Sequence, residues 1–242
     1  MLKRNPSLTD QAKSTIKSRI VNDEYVNGRI PSEAILADEL QVSRTTIRDA
    51  LSRLENEGAI YRKQGAGTFV NQPGLQIKTR LEEIWSYEDV IAAHGYTPST
   101  QILAVRREMA RKETAVSLQI DPTDDIIRIE KLFLADDQPV ILAHNHFAAE
   151  LLPDSYDDDN FHAPIYEIFE ENGRQQLTYY LSEIVPAIAS PQLAQILHIQ
   201  SNTPLLSFNE IGYNANNNPI LKSISYFRDD LLRLRLIRRK SN

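Results

Sequence analysis

Residues 42–58, VSRTTIRDALSRLENEG, decide the fold of the first part of this chain. Ser43 is a suitable N-cap for a helix that runs to about Glu57, and Gly58 follows where a helix commonly ends. The apolar residues of this stretch recur at spacings of three and four, which predicts a single buried helix face: Ile47, Ala50, Leu51 and Leu54.

The polar residues of the same helix are concentrated at its start. Arg44 and Arg48 are four residues apart and share one exposed face, and Thr45 and Thr46 lie beside them. A recognition helix uses its first turns to reach base edges in the major groove, where the arginine fork matches guanine O6 and N7. A solvated basic helix face would give the same pattern, so the neighbouring segments must decide between the two interpretations.

Those segments predict two further helices and a hairpin. Residues 8–23 carry one apolar stripe, and Ser32 can cap a second short helix after the break at Gly28 and Pro31. Beyond Gly58, two β-prone stretches enclose the basic turn RKQGAG, residues 62–67. Three helices and a basic hairpin predict a winged helix-turn-helix domain over residues 1–70.

The charge of the chain is unevenly distributed. The whole chain has a net charge of −6, but residues 1–70 carry 11 Lys and Arg against 9 Asp and Glu, a net of +2. The remaining 172 residues therefore carry a net of −8. This asymmetry favours contact with a polyanion by the first segment alone.

Other classes of protein are disfavoured by composition. The chain has no cysteine, which excludes disulfides and thiolate metal sites. We find neither a membrane-spanning apolar run nor the apolar core of a signal peptide, so we expect a cytoplasmic protein with no membrane partner. The polar stretch at residues 71–80 contains Pro-Gly and is predicted to be an interdomain linker.

Residues 81–242 mix helical and strand-like segments and predict a second, α+β domain. We expect helices at 81–94, 164–172 and 192–197. Strands are expected at 100–108, 126–135, 140–147, 177–187, 205–214, 220–228 and 231–237. Apolar pairs and a polar turn ending in proline recur about 79 residues apart, as in DQPVIL (137–142) and NNPILK (217–222). Two similar halves sharing one sheet would leave a cleft where they meet, which favours a small-molecule pocket there.

The first domain resembles the GntR family of DNA-binding regulators. The resemblance rests on GRIPSE (28–33), VSRTTIRDAL (42–51), LENEG (54–58) and QGAGTFV (64–70), in the family's order. It departs at Ala34, where the family commonly has arginine, which puts one DNA contact or the usual operator in doubt. The resemblance implies that the wing tip enters the minor groove and predicts a set of DNA-binding residues: Ser43, Arg44, Thr45, Thr46, Arg48, Gln64 and Gly65.

The second domain resembles, more loosely, the ligand-sensing UTRA domain of the HutC subfamily. Its carriers include RIEK (128–131), LLP (151–153), IYEI (165–168) and SISYFR (223–228). The resemblance implies a chorismate-lyase-like fold without the lyase reaction, a homodimer and an effector pocket. We predict that the pocket includes five residues: Ser86, Arg128, His144, Lys222 and Tyr226.

Lys222 stands where relatives often carry glutamate, and Ala143 replaces a second frequent acid. Together with Arg128, this exchange favours an anionic effector, such as a sugar phosphate or an organic acid. Lys222 could instead pair with Asp137 or another carboxylate and bind nothing. His144 and His146 share a strand face but lack an identifiable third metal ligand, so we predict ordinary pocket or interface histidines and no metal site.

Three functions remain open from the sequence. The chain could be a repressor that binds double-stranded operator DNA as a homodimer and responds to a small molecule. Its second domain could instead serve only in dimerisation. A DNA-tethered enzyme is disfavoured, because no nucleophile–base pair, phosphate-binding glycine loop or metal cluster supports it. We therefore predict no catalytic residues and no cofactor.

Overall fold

The computed structural model describes residues 6–76, 79–81, 83–153, 161–171 and 175–238. Its contacts divide the chain into two units, Leu81–Leu234 and Met1–Arg80 with Arg235–Asn242. The division after Arg80 lies at the end of the predicted linker, and the described residues 235–238 group with the first unit.

The first unit contains three helices, α1 (Leu8–Val21), α2 (Glu33–Glu39) and α3 (Arg44–Asn56). Serine hydroxyls cap all three helices by accepting a hydrogen bond from a backbone N–H in the first turn: Ser7, Ser32 and Ser43. A capping serine satisfies an amide that would otherwise lack a partner, so these serines fix where each helix begins.

Three short strands complete the first unit: β1 (Arg29–Ile30), β2 (Ile60–Lys63) and β3 (Gly67–Val70). They form an antiparallel sheet in the order β1-β3-β2, and β2 and β3 make the predicted hairpin. The predicted apolar stripe of α3 is fully buried and joins a core contributed by all three helices and the sheet.

The second unit is built on a six-stranded antiparallel sheet in the order β4-β5-β6-β9-β8-β7. The strands are β4 (Pro98–Met109), β5 (Asp125–Ala135), β6 (Gln138–Ala148), β7 (Leu177–Ile188), β8 (Pro204–Asn214) and β9 (Pro219–Phe227). The helices are α4 (Tyr87–Ala93), α5 (Lys112–Leu118), α6 (Ile165–Glu171) and α7 (Pro191–Ile196).

The element order confirms the predicted duplication. Each half contributes a helix, a strand, a second helix and a two-strand hairpin: α4-β4-α5-β5-β6 and α6-β7-α7-β8-β9. The halves meet at β6 and β9, where His144 pairs with Ile224, its equivalent 80 residues later. Hence an approximate twofold axis passes through this pair, and equivalent residues lie on opposite sides of it.

The two faces of the sheet carry different helices, because side chains alternate between faces along each strand. One face, which we call face A, packs against α4 and α6 through Phe133, Phe208 and Phe147, among others. The opposite face, face B, packs against α5 and α7 through residues such as Leu132 and Ile126.

Two predicted elements differ from the structure. The helix predicted at 81–94 begins only at Tyr87, because the buried Ser86 caps it and residues 83–85 are not helical. The strand predicted at 231–237 is wrong, since the structure assigns no strand there. Leu232 in that segment is fully buried in the core of face A, so the alternation of Leu and Arg reflects burial without strand pairing.

Candidate DNA-binding surface and ligand cavity

The first turn of α3 presents a mixed set of polar groups. The Ser43 hydroxyl accepts a hydrogen bond from the Thr46 amide at 3.1 Å, and the two hydroxyls lie 2.8 Å apart. Both hydroxyls are therefore engaged in holding the start of the helix. Arg44 and Thr45 are exposed, with their side chains directed away from the core.

The two arginines of α3 have different environments. Arg48 forms an ion pair with Glu33 at the start of α2, with Nη2 and Oε2 separated by 3.0 Å. The same carboxylate raises the pKa of Arg48 above its ordinary value. Among the described residues, Arg44 forms no ion pair. Arg44 thus offers a free guanidinium, whereas Arg48 must share or exchange its carboxylate to bind a phosphate or a base.

The hairpin between β2 and β3 has the backbone of a DNA-contacting wing. Gly65 has a φ of +74°, a conformation that favours glycine, and no other atom lies near the position of its missing Cβ. Gln64 and Gly65 are exposed at the tip. The guanidinium of Arg29, on β1, lies beside Gly67: its Nε is 3.6 Å from the position that a Cβ on this glycine would occupy. Arg29 thus adds a basic group beside the wing that was not predicted from the sequence.

The second unit encloses a cavity of about 600 Å³ on face A of the sheet. This volume lies within the range of small-molecule sites, about 300–1,000 Å³. The segment before α4 and the strands of both halves line it, so the cavity spans the junction of the two halves. Its polar lining includes Ser86, Lys131, Asn145, Glu210 and Ser223.

Lys131 is the one cationic side chain among the described residues that line the cavity. It is 2% exposed, and its Nζ donates to the backbone oxygen of Ala163 at 2.6 Å. Burial lowers its pKa to about 8, and the carboxylate of Glu88 opposes that shift. No described carboxylate lies within ion-pair distance of it.

Glu210 occupies the position equivalent to Lys131 in the second half, 79 residues later. The Ser182 hydroxyl donates to its Oε1 at 2.5 Å. Burial raises the pKa of Glu210, and the hydrogen bond from Ser182 only partly offsets this effect. Within the described ranges, no cationic side chain pairs with this carboxylate.

Four of the five predicted effector residues do not line this cavity. Ser86 does line it, but its hydroxyl also caps α4 through the Asp89 amide at 3.0 Å. The other four lie on strand positions of the opposite parity and project from face B: Arg128, His144, Lys222 and Tyr226. Their predicted role in effector binding stays a prediction, while the cavity points to Lys131 and Glu210, which the sequence analysis missed.

The face B residues form a cluster of their own. The Lys222 Nζ pairs with Glu113 Oε1 at 2.7 Å. The sequence left open a pairing of Lys222 with Asp137 or another carboxylate, and the partner in the structure is Glu113. Arg128 pairs with Glu130, and the His144 ring packs edge-on against Tyr226 with centroids 6.2 Å apart. These pairings compensate the charges of Lys222 and Arg128, but three buried nitrogens of the cluster have no hydrogen-bond partner among the described residues: Arg128 Nε, His144 Nδ1 and His146 Nδ1.

The described residues contain no group of three or more His, Asp or Glu side chains placed to hold a metal ion. No described helix is long and apolar enough to cross a membrane.

Together the two units define a class of protein: a DNA-binding regulator whose winged helix-turn-helix domain is joined to a domain with a ligand-sized cavity. Comparisons with known families give the same result in finer detail. Residues 8–70 match the model described as bacterial regulatory proteins, gntR family, and residues 93–233 match the UTRA domain. The chain belongs to the gntR family, in the HutC-like subfamily that carries a UTRA domain.

Individual relatives agree with this assignment. The HTH-type transcriptional repressor NagR of Bacillus subtilis (strain 168) is 29% identical over 221 residues, 91% of this chain and 90% of that protein. The histidine utilization repressor of Pseudomonas putida is 29% identical over 207 residues, covering 81% and 78% of the two chains. These relatives are named as repressors, not as enzymes.

Solved structures share the fold at lower sequence identity. The possible transcriptional regulator YydK from Bacillus subtilis subsp. subtilis str. 168 matches with a TM-score of 0.76 at 17% identity, covering 97% of this chain and all of that one. PhnF from Mycobacterium smegmatis matches with a TM-score of 0.60 at 22% identity, covering 95% and 100%.

Proposed function

We propose that this protein is a transcriptional repressor that binds operator DNA as a homodimer and changes its operator affinity when a small molecule fills the face A cavity. The observation that carries the proposal is that two oppositely charged side chains, the buried Lys131 and the partly buried Glu210, line one cavity without pairing. The names of the relatives NagR and histidine utilization repressor support repression as the direction of control.

The DNA-binding half of the proposal assigns base contacts to α3 and backbone contacts to its surroundings. Arg44 and Arg48 would enter the major groove, and Thr45 would lie beside them. The wing, with Gln64 and Gly65 at its tip, would reach the minor groove, and Arg29 would add a phosphate contact. Dimeric helix-turn-helix proteins bind two half-sites about one helical turn apart, so we expect a pseudo-palindromic operator.

The sensor half of the proposal places an anionic group of the effector against Lys131. A buried ammonium without a carboxylate partner is costly, and a ligand anion would remove that cost. This location differs from the one predicted from the sequence, which used Lys222 and Arg128. The two locations lie on opposite faces of the sheet and can be separated by mutation.

The test uses two buried lysines as matched variants. Operator fragments selected from random DNA by the full-length protein supply the probe, and fluorescence anisotropy measures its binding with and without a panel of sugar phosphates and organic acids. We expect Lys131→Met to abolish the effector response and Lys222→Met to retain it, with unchanged operator affinity in both free proteins.

Three results would contradict the proposal. A normal response in Lys131→Met together with a lost response in Lys222→Met would place the effector on face B. If no compound of the panel changed operator binding by the wild type or by either variant, and the protein still dimerised, the result would favour a second domain that only dimerises. A monomer bound to a single half-site, by light scattering of the complex, would remove the homodimer.

A further inference from the structure

We propose that the effector is amphoteric: it carries an anionic group that binds Lys131 and, at its other end, a protonated amine that binds Glu210. This inference rests on the proposed sensor function and adds the second charge. It replaces the expectation of a purely anionic ligand with one that must satisfy both halves of the domain.

The first argument is the charge of the cavity lining. Among the lining residues that the structure describes, Lys131 is accompanied by three carboxylates, Glu83, Glu88 and Glu210. Glu83 is exposed, whereas Glu88 and Glu210 are partly buried, so a ligand that brought only negative charge would meet one cation and two partly buried acids. A ligand with a cationic group gains from this balance instead of being repelled by it.

The second argument is the state of Glu210. It projects from the interior strand β8 towards the cavity, and its partner in the structure is the neutral Ser182 hydroxyl. A hydroxyl supplies one hydrogen bond, whereas a carboxylate can accept about four. Since Glu210 lines the cavity, an ammonium group bound there would supply both charge and donors to this carboxylate.

The third argument is distance. The register across the sheet runs from Lys131 on β5 through Ala143 and Ser225 to Phe208 on β8. Glu210 lies two residues beyond Phe208 along β8. Lys131 and Glu210 are therefore separated by three strand spacings across the sheet and by two residues along it. With strands about 4.8 Å apart, their backbones are separated by about 14 Å across the sheet. The two side chains are too far apart to pair with each other, and a small molecule of ordinary length can bridge them.

The floor between the two charges suits a polar ligand body. Asn145 and Ser223 are buried, line the cavity, and lie on the two strands that separate β5 from β8. Their amide and hydroxyl groups can both donate and accept hydrogen bonds. The walls include Trp85 and Tyr87, which give the middle of the cavity an apolar surface.

Calorimetric titration of the full-length protein at pH 7 tests the inference with two matched sets of compounds. The first set is glucosamine 6-phosphate, glucose 6-phosphate and glucosamine. The second is 6-aminohexanoate, hexanoate and hexylammonium. Each set holds one amphoteric compound, one with only the anion and one with only the cation.

We expect the amphoteric member of at least one set to bind at least about tenfold more tightly than both of its single-charge counterparts. Glu210→Gln should remove the advantage of the amine, so that the amphoteric and anionic members bind alike. Glu183→Gln, which changes an exposed carboxylate on β7, is the matched control and should keep the advantage.

Two outcomes overturn the inference and leave the sensor function separately decidable. One is tight binding of an anion-only compound, equal to that of its amphoteric partner and insensitive to Glu210→Gln, while operator binding still responds to it. The other is the absence of binding by both amphoteric compounds. In that case the operator assay with the wider panel decides whether the cavity senses any ligand.

Discussion

Arg44 and Arg48 occupy the same face of α3, yet their side chains start from different electrostatic states. Arg48 is already paired with Glu33, whereas Arg44 forms no ion pair with a described residue. Exposed ion pairs contribute little to stability, typically below about 1 kcal/mol, so DNA can displace Glu33 at small cost. Both arginines therefore remain candidates for base contacts.

Replacing either arginine should weaken operator binding. We expect Arg44→Ala and Arg48→Ala each to cost about 1–3 kcal/mol of operator affinity and to relax selectivity at one base pair per half-site. Fluorescence anisotropy with single-base operator variants measures both effects. Arg53→Ala is the control, since Arg53 lies two turns later and pairs with Asp10 at 2.5 Å. Unchanged affinity in a folded Arg48→Ala protein would exclude that residue from the interface.

Removing the charge of Glu210 should stabilise the free protein. A partly buried carboxylate without a cationic partner destabilises the folded state, and Gln keeps the shape and the hydrogen bond from Ser182 without the charge. We expect Glu210→Gln to raise the free energy of unfolding of the second unit by on the order of 1 kcal/mol. Urea unfolding followed by the fluorescence of Trp85, the one tryptophan of the chain, measures it. A clear loss of stability would indicate a structural role for the carboxylate.

Lys131 should give the second unit a distinctive dependence on pH. Its pKa is about 8 in the folded chain and 10.5 ordinarily, so the unfolded chain binds more protons between these values. The free energy of unfolding should therefore rise with pH between about 8 and 10.5. Below about pH 8 both states bind the proton, so the contribution of Lys131 stays at its lower value and does not change with pH.

The measurement compares urea unfolding of the wild type and Lys131→Met at several pH values. Taking the difference removes the opposing contributions of Tyr87 and Tyr180, whose pKa values burial raises. A difference that does not change between pH 8 and 10 would contradict a depressed pKa for Lys131.

At the scale of elements, the start of α3 depends on one hydroxyl. The Ser43 hydroxyl accepts a hydrogen bond from the Thr46 amide at 3.1 Å and so caps the helix. We expect Ser43→Ala to lower the free energy of unfolding of the first unit by about 1 kcal/mol, while Ser43→Asp retains the cap. Thermal unfolding of the two variants measures the loss, and equal stability of both would show that the cap contributes nothing.

Sequence patterns predicted the elements of both units well, because their apolar periodicity is strong. The stripe of α3 and the hairpin strands of the second unit lie where the spacing placed them. The pattern failed at residues 231–237, since alternation of Leu and Arg identifies a half-buried extended chain but not a strand partner.

The residues of the candidate cavity were predicted less well, because residues at odd and even positions of a strand project from opposite faces of the sheet. The resemblance singled out Arg128 within the segment RIEK, but a shift of three residues along β5 moves from face B to Lys131 on face A. Nothing in the sequence states which face the ligand occupies. The placement of α4 and α6 decides it, and that depends on packing between distant segments.

For the whole molecule, the proposed function requires that the cavity and the operator influence each other equally. If a ligand lowers operator affinity by a given factor, the operator must lower ligand affinity by the same factor, typically corresponding to about 1–3 kcal/mol. Calorimetric titration of the ligand into free protein and into the protein–operator complex measures this factor as the ratio of the two ligand affinities. Equal ligand affinity in both titrations would show that the two units are uncoupled.

The approximate twofold axis through His144 and Ile224 also has a consequence for orientation. If the two halves were separate identical chains, the equivalent positions 131 and 210 would hold the same residue, and a bound molecule could sit either way round. Covalent joining frees each copy to differ, and here one carries a base where the other carries an acid. The approximate symmetry of the two halves thus places two binding groups at equivalent positions. Because the two groups carry opposite charges, an asymmetric ligand can bind in only one orientation.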